Sequence, residues 1–161
     1  MHPFLVALSI CVVAGVAEVA AAGKDPTQCL RSLRQPRWAP PRWSWYLVGI
    51  LYYSACLVSL YLVLQHDPSL AIRWRALELL LVVLVFNTVW NVTLFRLRAV
   101  GLSFWLFLPY TALVIYTVLI LYKVDGEAAA PFIPYLIYLG YGCAWLYSTW
   151  TMNRAAGSPP P

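Results

Sequence analysis

Residues 100–122 read VGLSFWLFLPYTALVIYTVLILY, with no Lys, Arg, Asp, Glu or His among them. Crossing the hydrocarbon core takes roughly 20 apolar residues as a helix, and this run is long enough. Its apolar residues are continuous rather than alternating with polar ones, which separates a helix from the strand of a transmembrane barrel. Pro109 falls inside the run. It frees a backbone carbonyl and is expected to kink the helix.

Outward from this segment, four more runs qualify as spans. With the first taken as 99–122, they cover about 3–23, 45–65, 76–95 and 131–152. The composition agrees: 62% of residues are hydrophobic and 11% charged, and the mean hydropathy is +0.72, outside the balance of a soluble domain. The expected fold is an all-α membrane protein, a five-transmembrane-helix bundle forming a single domain over residues 1–161. Residues 154–161, with the run AAGSPPP, are expected to be a disordered tail.

The net charge of +5 is unevenly placed. Lys24, Arg31, Arg34, Arg37 and Arg42 lie between the first two spans, Arg96 and Arg98 between the third and fourth, and Arg154 after the fifth. Arg73, Arg75 and Lys123 fall on the opposite side. By the positive-inside rule, loop 1 and the C-terminus face the cytosol. These basic residues set topology and meet anionic lipid head groups; no nucleic-acid motif is present. Cys11, Cys29, Cys56 and Cys143 have no metal-like spacing and read as small apolar packing residues. The first span ends in small residues, as a signal peptide does, but has no Lys or Arg before it. It is expected to be retained as a helix.

Polar residues inside the spans are the informative ones. Glu18 sits near the end of the first span, where a carboxylate is costly unless it faces water or a partner. It marks either a wet cavity mouth or a side chain reaching the interface beside loop 1. In VFNTVWNVTLF, residues 85–95, Asn87, Trp90 and Asn91 recur at helical spacing and share a face. An unpaired amide in hydrocarbon costs several kcal/mol, so that face points inward. It either glues helices together or lines a polar spot in an apolar cavity. Arg75 and Glu78 are spaced to pair across one helical turn. The fifth span is the most aromatic, with Tyr135, Tyr138, Tyr141, Trp145, Tyr147 and Trp150, and Gly140 and Gly142 leave space beside that wall. Trp150 suits an interfacial belt.

Catalytic signatures are missing: there is no nucleophilic triad, no HExxH and no phosphate-binding glycine loop. The two histidines, His2 and His66, lie at the terminus and in a loop, so neither is placed to ligate haem iron or zinc. No cofactor is expected. Aromatic walls with a few amides and a cationic rim suit a flat, apolar, metal-free ring bearing carboxylates.

QPRWAPPRW, residues 35–43, completes the pattern. Pro36, Trp38, Pro40, Pro41 and Trp43 form Pro-x-Trp-x-Pro-Pro-x-Trp in loop 1. Asn87 and Trp90 form Asn-x-x-Trp, followed by Phe95, Arg98 and Gly101. Pro134, Tyr135 and Leu136 open the fifth span, and Trp150 and Asn153 close it. Together, in order and in register with five spans, these resemble the TspO/MBR family, which includes the mitochondrial translocator protein and the bacterial tryptophan-rich sensory proteins.

The resemblance implies a five-helix bundle, commonly a homodimer in the membrane lipid, that binds porphyrins, sterols or benzodiazepine-type compounds in a pocket closed by loop 1. Porphyrin is then a ligand rather than a cofactor. The implied ligand-binding residues are Trp38, Pro41, Trp43, Asn87, Trp90, Asn91, Tyr135, Tyr138 and Gly142, with Trp38 and Pro41 in the lid. Two family tryptophans, tied to porphyrin breakdown in some members, are absent by the resemblance: Gly49 and Tyr138 stand at those places. Binding or transport is therefore expected ahead of porphyrin degradation or a purely structural role. The sequence pattern does not separate a bacterial envelope from the mitochondrial outer membrane.

Overall fold

The computed structural model describes residues 2–23, 26–41 and 43–154. Helices account for nearly all of it, in the order α1 Pro3–Ala22, α2 Pro26–Ser32, α3 Ser44–Gln65, α4 Ala71–Asn91, a π-helical turn Val92–Arg96, α5 Val100–Val124, α6 Gly126–Ala129, a 3-10 turn Ala130–Phe132 and α7 Ile133–Arg154. Five helices are long and apolar enough to cross a membrane: α1, α3, α4 with its π turn, α5, and α6 continued through α7. The protein is an all-α, five-helix membrane bundle.

The bundle core is aliphatic, with Leu60, Val63, Leu80, Val83, Val114, Leu121, Leu139 and Leu146 almost wholly enclosed. Between lipid-soluble helices, close packing has to come from small residues, because burying apolar surface gains little when lipid is the alternative. Gly142 of α7 lets Phe107 of α5 approach; a Cβ there would stand 3.0 Å from the ring. Gly101 of α5 does the same for Trp150, whose indole Nε1 would lie 2.7 Å from an added Cβ. Trp150 stacks on Phe104 with centroids 5.3 Å apart. It is a packing residue between α5 and α7 rather than only a member of an interfacial belt.

Three boundaries differ from the sequence-based expectation, each for a local reason. Helix α4 begins at Ala71, five residues before the expected start, with Arg73 and Arg75 inside it. Arg73 is tolerated there because its guanidinium donates to the Val63 and Leu64 carbonyls at 3.2 and 3.4 Å, capping the C-terminal end of α3. Arg75 and Glu78 do meet, at 3.9 Å. Before α7, the chain makes α6, with the Asp125 carboxylate accepting from the Glu127 amide as an N-cap. Ser59 then donates to the Ala128 carbonyl at 2.6 Å, tying α6 into the bundle. Loop 1 contains α2, whose Cys29 thiol donates to the Leu94 carbonyl in the π turn at 3.2 Å. Helix α5 runs unbroken through Pro109. Lys24, Arg42 and residues 155–161 of the expected tail lie outside the described residues.

Candidate functional site

At the loop-1 end of the bundle the spans enclose a cavity of about 580 Å³ that reaches mid-bundle. Helical spacing builds its walls. Trp45, Val48 and Tyr52 fall at i, i+3 and i+7 on α3; Phe107 and Tyr110 are three apart on α5; Tyr135 and Tyr138 are three apart on α7; all of them line it. Helix α4 contributes Asn87, Trp90 and Asn91, and α1 contributes Glu18 near its end. The rings brace one another: Tyr52 and Tyr135 lie 5.1 Å apart, Trp90 and Phe107 5.5 Å apart, and Tyr110 and Tyr135 share a hydroxyl hydrogen bond of 2.8 Å. Trp90 is further fixed by its indole N–H, which donates to the Ser103 carbonyl at 3.0 Å.

One polar cluster interrupts this aromatic lining. Tyr53 and Asn87 both donate to Oε2 of Glu18 at 2.7 Å. Asn91 donates to Oε1 at 3.0 Å, and also to the Asn87 carbonyl at 3.0 Å. The carboxylate thus binds α1 to α3 and α4 at once, and neither of the ion pairs between described residues includes it. Above this crossing, where Gly15 packs on the Tyr53 ring, α1 and α3 leave an opening bordered by Val19, Tyr46, Gly49 and Ile50. Nothing lies within 4 Å of a Cβ built at Gly49.

The sequence model of the TspO/MBR family matches residues 7–151. The chain belongs to the TspO/MBR family. It is also similar to a tryptophan-rich sensory protein of Cereibacter sphaeroides, 28% identical over 142 residues that span 84% of this chain and 81% of that protein. The chain is therefore an integral, multi-pass membrane protein of this family.

Of the residues singled out from the sequence, Asn87, Trp90, Asn91, Tyr135 and Tyr138 come together in the cavity lining. Gly142 stands behind the wall, giving Phe107 its position. The expected lid residues lie elsewhere. Trp38 is 48% exposed and Trp43 62%, Pro41 is exposed, and none of the three is among the lining residues. Loop 1 is drawn onto α7 instead. The Tyr141 hydroxyl donates to the Trp38 carbonyl at 3.1 Å with the two rings edge to face. Asn153 receives the Arg34 amide at 3.1 Å and donates back to the Arg34 carbonyl at 2.9 Å. The family's closing Trp-x-x-Asn motif thus has a visible task here: Trp150 locks α7 to α5, and Asn153 clamps loop 1. What loop 1 lends to the cavity wall is Leu30 of α2.

Among the lining residues that the sequence did not single out for the site are Trp45, Tyr52, Tyr53, Phe107 and Tyr110, together with Glu18 as a member of the polar cluster. The signal for Glu18 was present, since an acidic residue and two amides in separate spans all need partners. The aromatic partners carried no comparable mark, because an apolar ring on a helix is equally suited to lipid, core or cavity.

Proposed function

We propose that this protein binds a flat, largely apolar ring compound in the cavity, by contact and without chemical conversion. Tetrapyrroles and sterols are the classes that the family resemblance suggests, and the name of the bacterial relative suggests a sensory role for such binding. The observation that carries the reading is the cavity itself. It falls within the several-hundred-Å³ range of small-molecule sites and is walled by aromatic faces with one convergent polar cluster. Such a hollow favours ligand binding over a role in which Asn87 and Asn91 serve only as helix glue. Gly49, open to the cavity, and Tyr138 stand where the motif comparison expects tryptophans, which supports binding ahead of porphyrin breakdown. The charge distribution supports a cytosolic loop-1 end.

Titrating the neutral dimethyl ester of protoporphyrin into detergent-solubilised protein, with tryptophan emission as the readout, tests this reading. Saturable quenching is expected, because Trp45 and Trp90 face the cavity, and Trp90→Phe should reduce its amplitude. Quenching that rises without saturation, and is unchanged by Trp90→Phe, would refute it.

A further inference from the structure

We propose that the ligand group recognised beside Glu18 is a cation, so that the cavity favours lipophilic ring compounds carrying a protonated amine or another positive centre. The inference rests on the ring-binding reading above and specifies the charge of what is bound. Three observations lead to it.

The first is the donor set on Glu18. Its two oxygens take hydrogen bonds from Tyr53, Asn87 and Asn91. All three donors are neutral, and together they suit an acceptor-only carboxylate. They orient the carboxylate without cancelling its charge, and the ion pairs between described residues do not include it. An acidic group within a span is retained where it faces a cavity and meets a partner.

The second is its position. Glu18 is only partly buried and borders the cavity rather than being sealed between helices. Oε1 carries one hydrogen bond from a described residue, so lone-pair capacity remains on that oxygen. A ligand N–H there would form a charge-assisted bond, the strong kind in a site poor in water.

The third is the wall. Trp45, Tyr52, Trp90, Tyr135 and Tyr138 line the same space. The faces of such rings attract cations, and more strongly when water is excluded. The same arrangement repels an anion, so the carboxylates of an acidic ring compound would have to lie away from Glu18.

A series of three pyrenes of nearly equal shape tests this: pyrenylmethylamine, protonated at neutral pH, the neutral pyrenylmethanol, and the anionic pyrenecarboxylate. Each is titrated into the purified full-length protein, with binding read against protein-free micelles. The expected order is amine, alcohol, carboxylate, with the amine at least about tenfold tighter than the alcohol, the ratio one charge-assisted hydrogen bond gives. In Glu18→Gln that ratio should fall to near one. The ratio in the unaltered protein decides the question even if the variant folds poorly. Equal affinity for all three pyrenes, or a preference for the carboxylate, overturns the cation inference and leaves ring binding standing. A preference retained by a folded Glu18→Gln protein overturns the role of Glu18. Absence of saturable binding by every pyrene overturns the ring-binding reading as well.

Discussion

The side-chain amide of Asn87 donates to the Glu18 carboxylate over 2.7 Å, joining α4 to α1 inside the bundle. Without Asn87, Oε2 keeps only the Tyr53 hydroxyl among these partners. Asn87→Leu should therefore destabilise the protein by about 1 to 2 kcal/mol, the cost of leaving a polar group short of a partner. Reversible unfolding in mixed micelles measures this. Combining it with Glu18→Leu should cost less than the sum of the single changes, because neither side chain is then stranded. Additive costs would show that the pair is not coupled.

Two glycines should respond differently to the same added methyl. At Gly101 a Cβ would stand 2.7 Å from the Trp150 indole, which is held by its stack on Phe104. Gly101→Ala should cost about 1 to 3 kcal/mol through overpacking. At Gly49 the added carbon meets nothing within 4 Å, and Gly49→Ala should be neutral or slightly stabilising, since alanine favours helix over glycine. Thermal melting of the two variants side by side separates them.

Loop 1 is pinned from α7. Asn153→Ala removes both bonds to the Arg34 backbone, the carbonyl at 2.9 Å and the amide at 3.1 Å. The Arg34 amide should then exchange with solvent faster, with protection in α7 little changed. Hydrogen exchange read at peptides covering 33–41 checks this.

Much of the architecture could be read from the sequence, because a membrane span is a long, one-sided signal: residues 100–122 have no alternative reading as a soluble element. The polar face of α4 was equally legible, since Asn87 and Asn91 must be satisfied somewhere. Glu18 was legible as an anomaly but not as a partner of those amides. Which helices cross at Gly15 and Tyr53 is a matter of three-dimensional packing. The start of α4 was misplaced because Arg73 looks like an interfacial charge until the free carbonyls of α3 are seen beside it. Trp38 and Pro41 were expected in a lid because the family resemblance implies a pocket closed by loop 1. The tie from Asn153 to Arg34, 119 residues apart in sequence, is what decides where that loop lies.

At the far end of the bundle, Asp125 gives a pH dependence. Its carboxylate is held below its ordinary value of 3.8, chiefly by the Glu127 amide and further by His66, 3.3 Å away. A carboxylate whose folded value is lowered adds stability above its unfolded value and loses it as pH falls through the folded one. Asp125→Ala should therefore melt below the unaltered protein at about pH 6, and the gap should close toward about pH 3. A gap that stays constant across that range would show that the charge on Asp125 plays no part.

Binding in the cavity also predicts the effect of filling its mouth. Gly49→Trp places an indole where Gly49 now leaves the lining open, and it should weaken saturable quenching by the porphyrin ester. The same protein under illumination should show whether returning a tryptophan near this place restores porphyrin loss; without the substitution, decay should match detergent alone.

The most direct measurement is an experimental structure with the neutral porphyrin ester bound. The account predicts the ring between Trp45, Trp90 and Tyr135, inside the cavity beside Glu18. A ring seated instead in the outer groove between α1 and α4, lined by Ser9, Val13, Leu81 and Val85, with the cavity unchanged, would contradict it.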